Sequence, residues 1–115
     1  MKARLPAGMG GGPQNQRDLM RKAQKMQEDL AAKQAELEVR EFTATSGGGV
    51  VEVVMNGKKE LVALNIKPEI VDPEDIEMMQ DVIMAVVNEV IRQVEDTTNS
   101  ELGKITGSLS IPGLF

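Results

Sequence analysis

Cysteine and histidine are both absent from the 115 residues, as are tryptophan and tyrosine, and two phenylalanines are the only aromatic residues. Each absence removes a class of chemistry. Without cysteine there is no disulfide framework, no thiolate nucleophile and no thiolate metal ligand. Without histidine the commonest general base and metal ligand is gone. Any catalyst here would rest on Asp, Glu, Lys, Ser or Thr, and only a hard-oxygen Mg²⁺ or Ca²⁺ site stays open in principle. Only Phe42 and Phe115 offer rings on which bases could stack, which argues against single-strand binding. Long apolar runs are missing too. The longest, Val82 to Val87, falls far short of the roughly 20 residues a membrane helix needs. Met1-Lys2-Ala3-Arg4-Leu5-Pro6 runs into Gly and Pro instead of an apolar stretch, so no secretion signal is expected. Together these features predict a soluble cytoplasmic protein.

What is present falls into five pieces. Residues 1–13 are a Gly-rich leader, expected to be flexible. It reads either as a tail without a role or as a basic arm carrying Lys2 and Arg4. From about Gln14 to Val39 the pattern is helical. Leu19, Ala23, Met26, Leu30 and Leu37 make a narrow heptad seam with one gap at Lys33. From 40 to 66 the period becomes two, which predicts strands at about 40–45, 50–56 and 59–66. Ser46-Gly47-Gly48-Gly49 links the first pair and Asn56-Gly57 the second, a strong hairpin signal. The triple glycine lacks the Gly-Lys-Ser/Thr ending of a phosphate loop and is expected to be a turn.

Lys67 to Val71 reads as a connector, with one helical turn at most. Asp72 then looks like an N-cap, with Pro73 at the first helical position and Glu74 and Asp75 in the first turn. That capping accounts for the acidic run without a metal. The second helix is expected to reach about Ser100. Its apolar residues, Ile76 to Val94, cover an arc of roughly 200°, wider than the ordinary stripe. One small sheet cannot cover that arc, so a second copy of the chain is expected to. The fold class is therefore α+β: a long helix, a three-stranded antiparallel meander and a second long helix. Residues 14–101 form the single dimerising domain. Residues 102–115 form a C-terminal tail whose docking the periodicity does not decide.

Charge is divided unevenly. Residues 1–40 hold eight basic and five acidic residues, a balance of +3; residues 41–115 hold five basic and thirteen acidic, a balance of −8. Arg17, Arg21 and Lys25 recur every fourth residue on the first helix, with Lys22 beside them. The ridge of Arg17, Arg21 and Lys25 faces largely away from the apolar seam. A row of exposed cations about 5–6 Å apart at Cβ can reach phosphates and attract DNA by counterion release without reading sequence. A solvated helix face is the plainer meaning of such a row. A DNA-binding patch would also have to stand apart from the acidic remainder of the chain. Lys58 and Lys59, after the Asn-Gly turn, read first as edge-strand protection.

Several segments in order resemble the YbaB/EbfC family of bacterial nucleoid-associated proteins. Leu19 to Glu28 resembles its first-helix signature. Gly47 to Val51 with Met55-Asn56-Gly57 resembles its glycine turn and hairpin. Ile66 to Glu69 and Asp72 to Asp75 resemble its strand-to-helix passage, and Ile105-Thr106-Gly107 with Ile111-Pro112-Gly113 its tail. The likeness spans about residues 8–115. It implies an α+β fold, an intertwined or tweezer-like homodimer with projecting helices, binding to duplex DNA with little sequence preference, and a role in nucleoid organisation or gene regulation. It also implies a link to recombination or replication proteins. The basic positions that match are Arg21, Lys22 and Lys25, with Arg17 just before; Lys2, Arg4 and Lys104 are candidate accessory DNA contacts. No cofactor, metal or catalytic residue is expected. The alternative is a protein-interaction adaptor whose DNA binding is incidental.

Overall fold

The computed structural model describes residues 13–107. Most of the expected leader, with Lys2 and Arg4, and residues 108–115 of the expected tail lie outside them. The order of elements is α1 (Pro13–Val39), β1 (Glu41–Thr45), β2 (Val51–Asn56), β3 (Leu61–Ile66) and α2 (Ile76–Gly107). The strands form one antiparallel meander in the order β1-β2-β3. This is the α+β arrangement expected, with each strand one or two residues shorter at its start.

Alternation puts the core on one side of the sheet. Phe42 pairs with Met55 and Ala44 with Val53, while Val51 pairs with Ile66 and Val53 with Leu64. Paired residues share a face, so these side chains line one surface. α2 crosses it and presents Val86, Val90 and Val94, four residues apart. These three join Phe42, Ala44, Val51, Val53, Met55 and Ile70 in one buried cluster. Burying each of the Val, Ile, Phe and Met side chains contributes about 1.5–3 kcal/mol. The outer surface is polar, with Thr43 and Thr45 exposed and Asn65 Nδ2 donating to Glu52 Oε1 at 3.1 Å. The cover over β3 is incomplete. Leu64 and Ile66 stay 45% and 36% exposed although they lie on the inner face.

Both turns are built by specific backbone. Ser46 N donates to Val51 O at 2.9 Å and Gly49 N to Ser46 O at 2.8 Å, with Gly48 and Gly49 at φ 77° and 71°. The triple glycine is thus a strand-to-strand turn. The second hairpin is longer than a two-residue Asn-Gly turn. Lys59 N donates to Asn56 O and Asn56 N to Glu60 O, both at 3.0 Å. The left-handed residue is Lys59, at φ 65°. This is the three-residue loop that ends in a bulge.

The start and end of α2 correct the expectation. Asp72 does not cap the helix. Its Oδ1 accepts from Glu74 N at 3.0 Å and its carbonyl from Asp75 N at 2.9 Å, which closes a turn with Pro73 in its second position. Asp followed by Pro fits a β-turn as well as a helix start. The cap is Asp75, whose Oδ1 accepts from Met78 N at 3.3 Å. At the other end α2 continues past Ser100 to Gly107, because α1 packs beside its last turns.

The two helices are antiparallel. Lys33 meets Glu101 at 3.2 Å, and Ile105 shares an open cleft with Asp29 and Ala32. Numbers on one helix fall as those on the other rise. α1 is anchored at its C-terminal end by Leu37, 3% exposed, and ends where Arg40 N donates back to Glu36 O and Leu37 O. Its N-terminal half projects beyond α2. The molecule measures 89 × 23 × 16 Å, with a radius of gyration of 23.8 Å, against about 13 Å for a compact chain of this length.

Candidate nucleic-acid interface

The cations divide into those held by internal partners and those that are not. Lys33 occupies the gap in the apolar seam. Its ammonium lies 3.4 Å from Glu36 Oε1 and 3.2 Å from Glu101 Oε1. Arg40 grips Glu36 with two hydrogen bonds of 2.8 Å, from Nε and Nη2. The Lys33 ammonium holds the Glu101 carboxyl below its ordinary value, aided by Lys104. The Arg40 guanidinium does the same for Glu36. Glu101, with Glu36 close behind, raises Lys33 in return. This cluster joins α1 to α2. Sequence reading missed that role, although the break in the heptad at Lys33 was its visible sign.

Arg17, Arg21, Lys22 and Lys25 lie on the projecting half of α1, and all four are exposed. Arg21 is 3.1 Å from Asp18 and Lys25 is 3.8 Å from Asp29. Both pairs are solvent-exposed and worth at most about 1 kcal/mol, so a phosphate can replace either acid. Arg17 and Lys22 have no acidic partner among the described residues. Arg21, Lys22 and Lys25, with Asp18, Gln24 and Glu28, line an open depression along the helix. Residues 13–26 carry these four cations against the single acid Asp18, whereas residues 27–39 carry Lys33 against Glu28, Asp29, Glu36 and Glu38. The charge of α1 therefore reverses along its length, and its positive end points away from the acidic body.

The other candidates fall elsewhere. Lys104 is in the last turns of α2, one turn from Glu101 and 3.7 Å from its carboxylate. Lys59 pairs with Glu95 on α2 at 2.7 Å. Phe42 is 8% exposed in the core and offers no ring to a base. Among the described residues no group of three acidic side chains could hold a metal ion. Among them, too, no helix is long and apolar enough to cross a membrane.

A profile of the YbaB/EbfC DNA-binding family matches residues 11–109. A nucleoid-associated protein of Alkaliphilus metalliredigens is 53% identical over 108 residues, 94% of each chain. One from Clostridium kluyveri is 50% identical over 105 residues, 91% of this chain and 92% of the other. Among solved structures, an uncharacterized protein from Helicobacter pylori is similar at a TM-score of 0.57 and 31% identity. That match covers 68% of this chain and 90% of that one. With this profile match and these identities over nearly the whole length, the chain belongs to the YbaB/EbfC DNA-binding family.

Proposed function

We propose that this protein is a homodimeric, cytoplasmic nucleoid-associated protein. It grips duplex DNA mainly through phosphates and thereby organises the nucleoid or modulates gene expression. The observation that carries the proposal is the reversal of charge along α1. Arg17, Arg21, Lys22 and Lys25 gather on a half-helix that stands clear of the acidic body, where repulsion between that body and DNA is weakest. Lys104 is an accessory contact at the neighbouring end of α2, and Lys2 and Arg4 are further candidates.

The homodimer is supported by apolar surface that one chain leaves uncovered. Leu64 and Ile66 on β3 and Ile76, Met78 and Met84 on α2 are all at least 36% exposed. Patches of this kind mark association surfaces. Two copies would present two basic half-helices to one duplex.

The test is binding of a labelled random-sequence duplex of about 30 base pairs, long enough for multiple phosphate contacts, titrated across salt. Each neutralised phosphate adds about 0.9 to the log–log slope, so the four α1 cations from each of two chains contribute up to about 7, before any accessory contact. A slope of several units is expected. Absence of binding at low salt, where surface charge acts most strongly, would overturn the proposal.

A further inference from the structure

The C-terminal end of α1 is tied to the body at two levels. Leu37 is buried, and its carbonyl stands where a Cβ at Gly57 would be, so the β2–β3 hairpin sits hard against this turn. One turn earlier comes Lys33, in the break of the apolar seam. Its ammonium crosses to Glu101 of α2 at 3.2 Å. The other ion pairs of α1 run along the chain itself: Arg21 to Asp18, Lys25 to Asp29, Lys33 to Glu36 and Glu36 to Arg40. The side chains of Lys33 and Glu101 are 31% and 23% exposed, so the crossing pair is partly shielded from water.

A pair that solvent still reaches adds little stability, and an apolar side chain at position 33 would complete the seam instead. The better-attested use of such a pair is to fix register, since a charge is satisfied only opposite its partner. The basic residues lie farther along the same continuous helix. From Lys33 to Arg17 is about 24 Å along the axis, so a tilt of about 10° shifts Arg17 by about 4 Å. That exceeds the whole length of a hydrogen bond to phosphate, about 2.7–3.2 Å, and a tilt displaces all four cations at once. We propose, resting on the DNA-binding reading above, that Lys33 and Glu101 are a positioning pair for DNA. Neither touches the duplex. Leu37 is the pivot, and the Lys33–Glu101 contact fixes the tilt of α1 on α2 and hence where Arg17, Arg21, Lys22 and Lys25 meet phosphates.

The test reverses the two charges. Glu101→Lys sets a cation against Lys33 and Lys104 and forces the helices apart. It also replaces −1 by +1, taking the net charge from −5 to −3, which by itself strengthens DNA binding. Position and charge therefore predict opposite results. Binding of the same labelled duplex by the full chain is measured at one fixed low salt. The temperature is held well below each variant's melting point, where lost stability alone leaves affinity untouched. Glu101→Lys and Lys33→Glu are each expected to bind at least about fivefold more weakly, and the double variant Lys33→Glu, Glu101→Lys to return to within about threefold of the unaltered chain. Glu101→Lys binding that equals or exceeds that of the unaltered chain would overturn the proposal, and so would a double variant as weak as the singles. Either result leaves the DNA-binding reading standing, because the unaltered chain still binds; that reading falls only when the unaltered chain does not. Should circular dichroism show a reversal variant to be unfolded, Glu101→Gln, which brings in no like charge, decides. Weaker binding than the unaltered chain supports the positioning pair, and equal or tighter binding overturns it.

Discussion

Gly57 shows how one residue couples a turn to a helix. A Cβ built there would overlap the carbonyl of Leu37 and crowd Cα of Glu38. Glycine is needed because the β2–β3 hairpin rests against the end of α1, while the left-handed position in that turn belongs to Lys59. Since the obstructing atoms are backbone, relaxation is limited. Gly57→Ala is expected to destabilise the fold by about 1–3 kcal/mol, read as a lower urea midpoint with unchanged slope. The ion pairs make a second prediction at this scale. The carboxyls of Glu36, Glu89 and Glu101 are held below the ordinary 4.5. Groups shifted this way add stability above that value and lose it as pH falls through their folded-state values. Lys33 is raised above 10.5, so its contribution is full below that value and fades as pH rises beyond it. Stability from the α1–α2 link is therefore expected to be level between about pH 5 and 10 and to decline on both sides. Glu101→Gln should flatten the acid limb of a plot of urea midpoint against pH; an unchanged limb would mean the link adds nothing.

At the scale of elements, α1 is two helices in one. Its C-terminal half is anchored by Leu37, Lys33 and Glu36, and its N-terminal half projects with the cations. Replacing Arg17, Arg21, Lys22 and Lys25 with Ala should weaken duplex binding at every sequence alike. It should also reduce the salt slope by about 1 for each phosphate that is no longer neutralised, while circular dichroism and sedimentation stay unchanged. Binding that survives intact would assign DNA to another surface. The basic row was legible in the sequence because a four-residue spacing defines a helix face without tertiary information. Its distance from the acidic body was not, because that depends on where α2 stops.

The whole molecule is long and thin, with a core confined to one face of a small sheet. Apolar surface left on β3 and α2 is the reason to expect a second copy. Sedimentation should give twice the 12.5 kDa chain mass at micromolar concentration. Leu64→Glu, on the open part of the inner sheet face, should shift the protein toward monomer, since a buried unpaired charge is costly. A dimer of unchanged affinity would place the interface elsewhere.

The sequence by itself determined the number, type and order of the main helices and strands, the places of the two turns and the basic row. Each depends on local periodicity, backbone preference or spacing along one helix. Only the tertiary structure decided the rest. It set the start of α2 at Asp75, because Asp72-Pro73 fits a turn as readily as a cap. It extended α2 to Gly107, because packing against α1 outweighs the weak propensity of its Gly and Thr residues. It gave Lys33 a partner in Glu101, 68 residues away, a pairing no local pattern encodes. And it separated the positive end of α1 from the acidic body, because charge along a chain becomes a field only once its parts have positions in space.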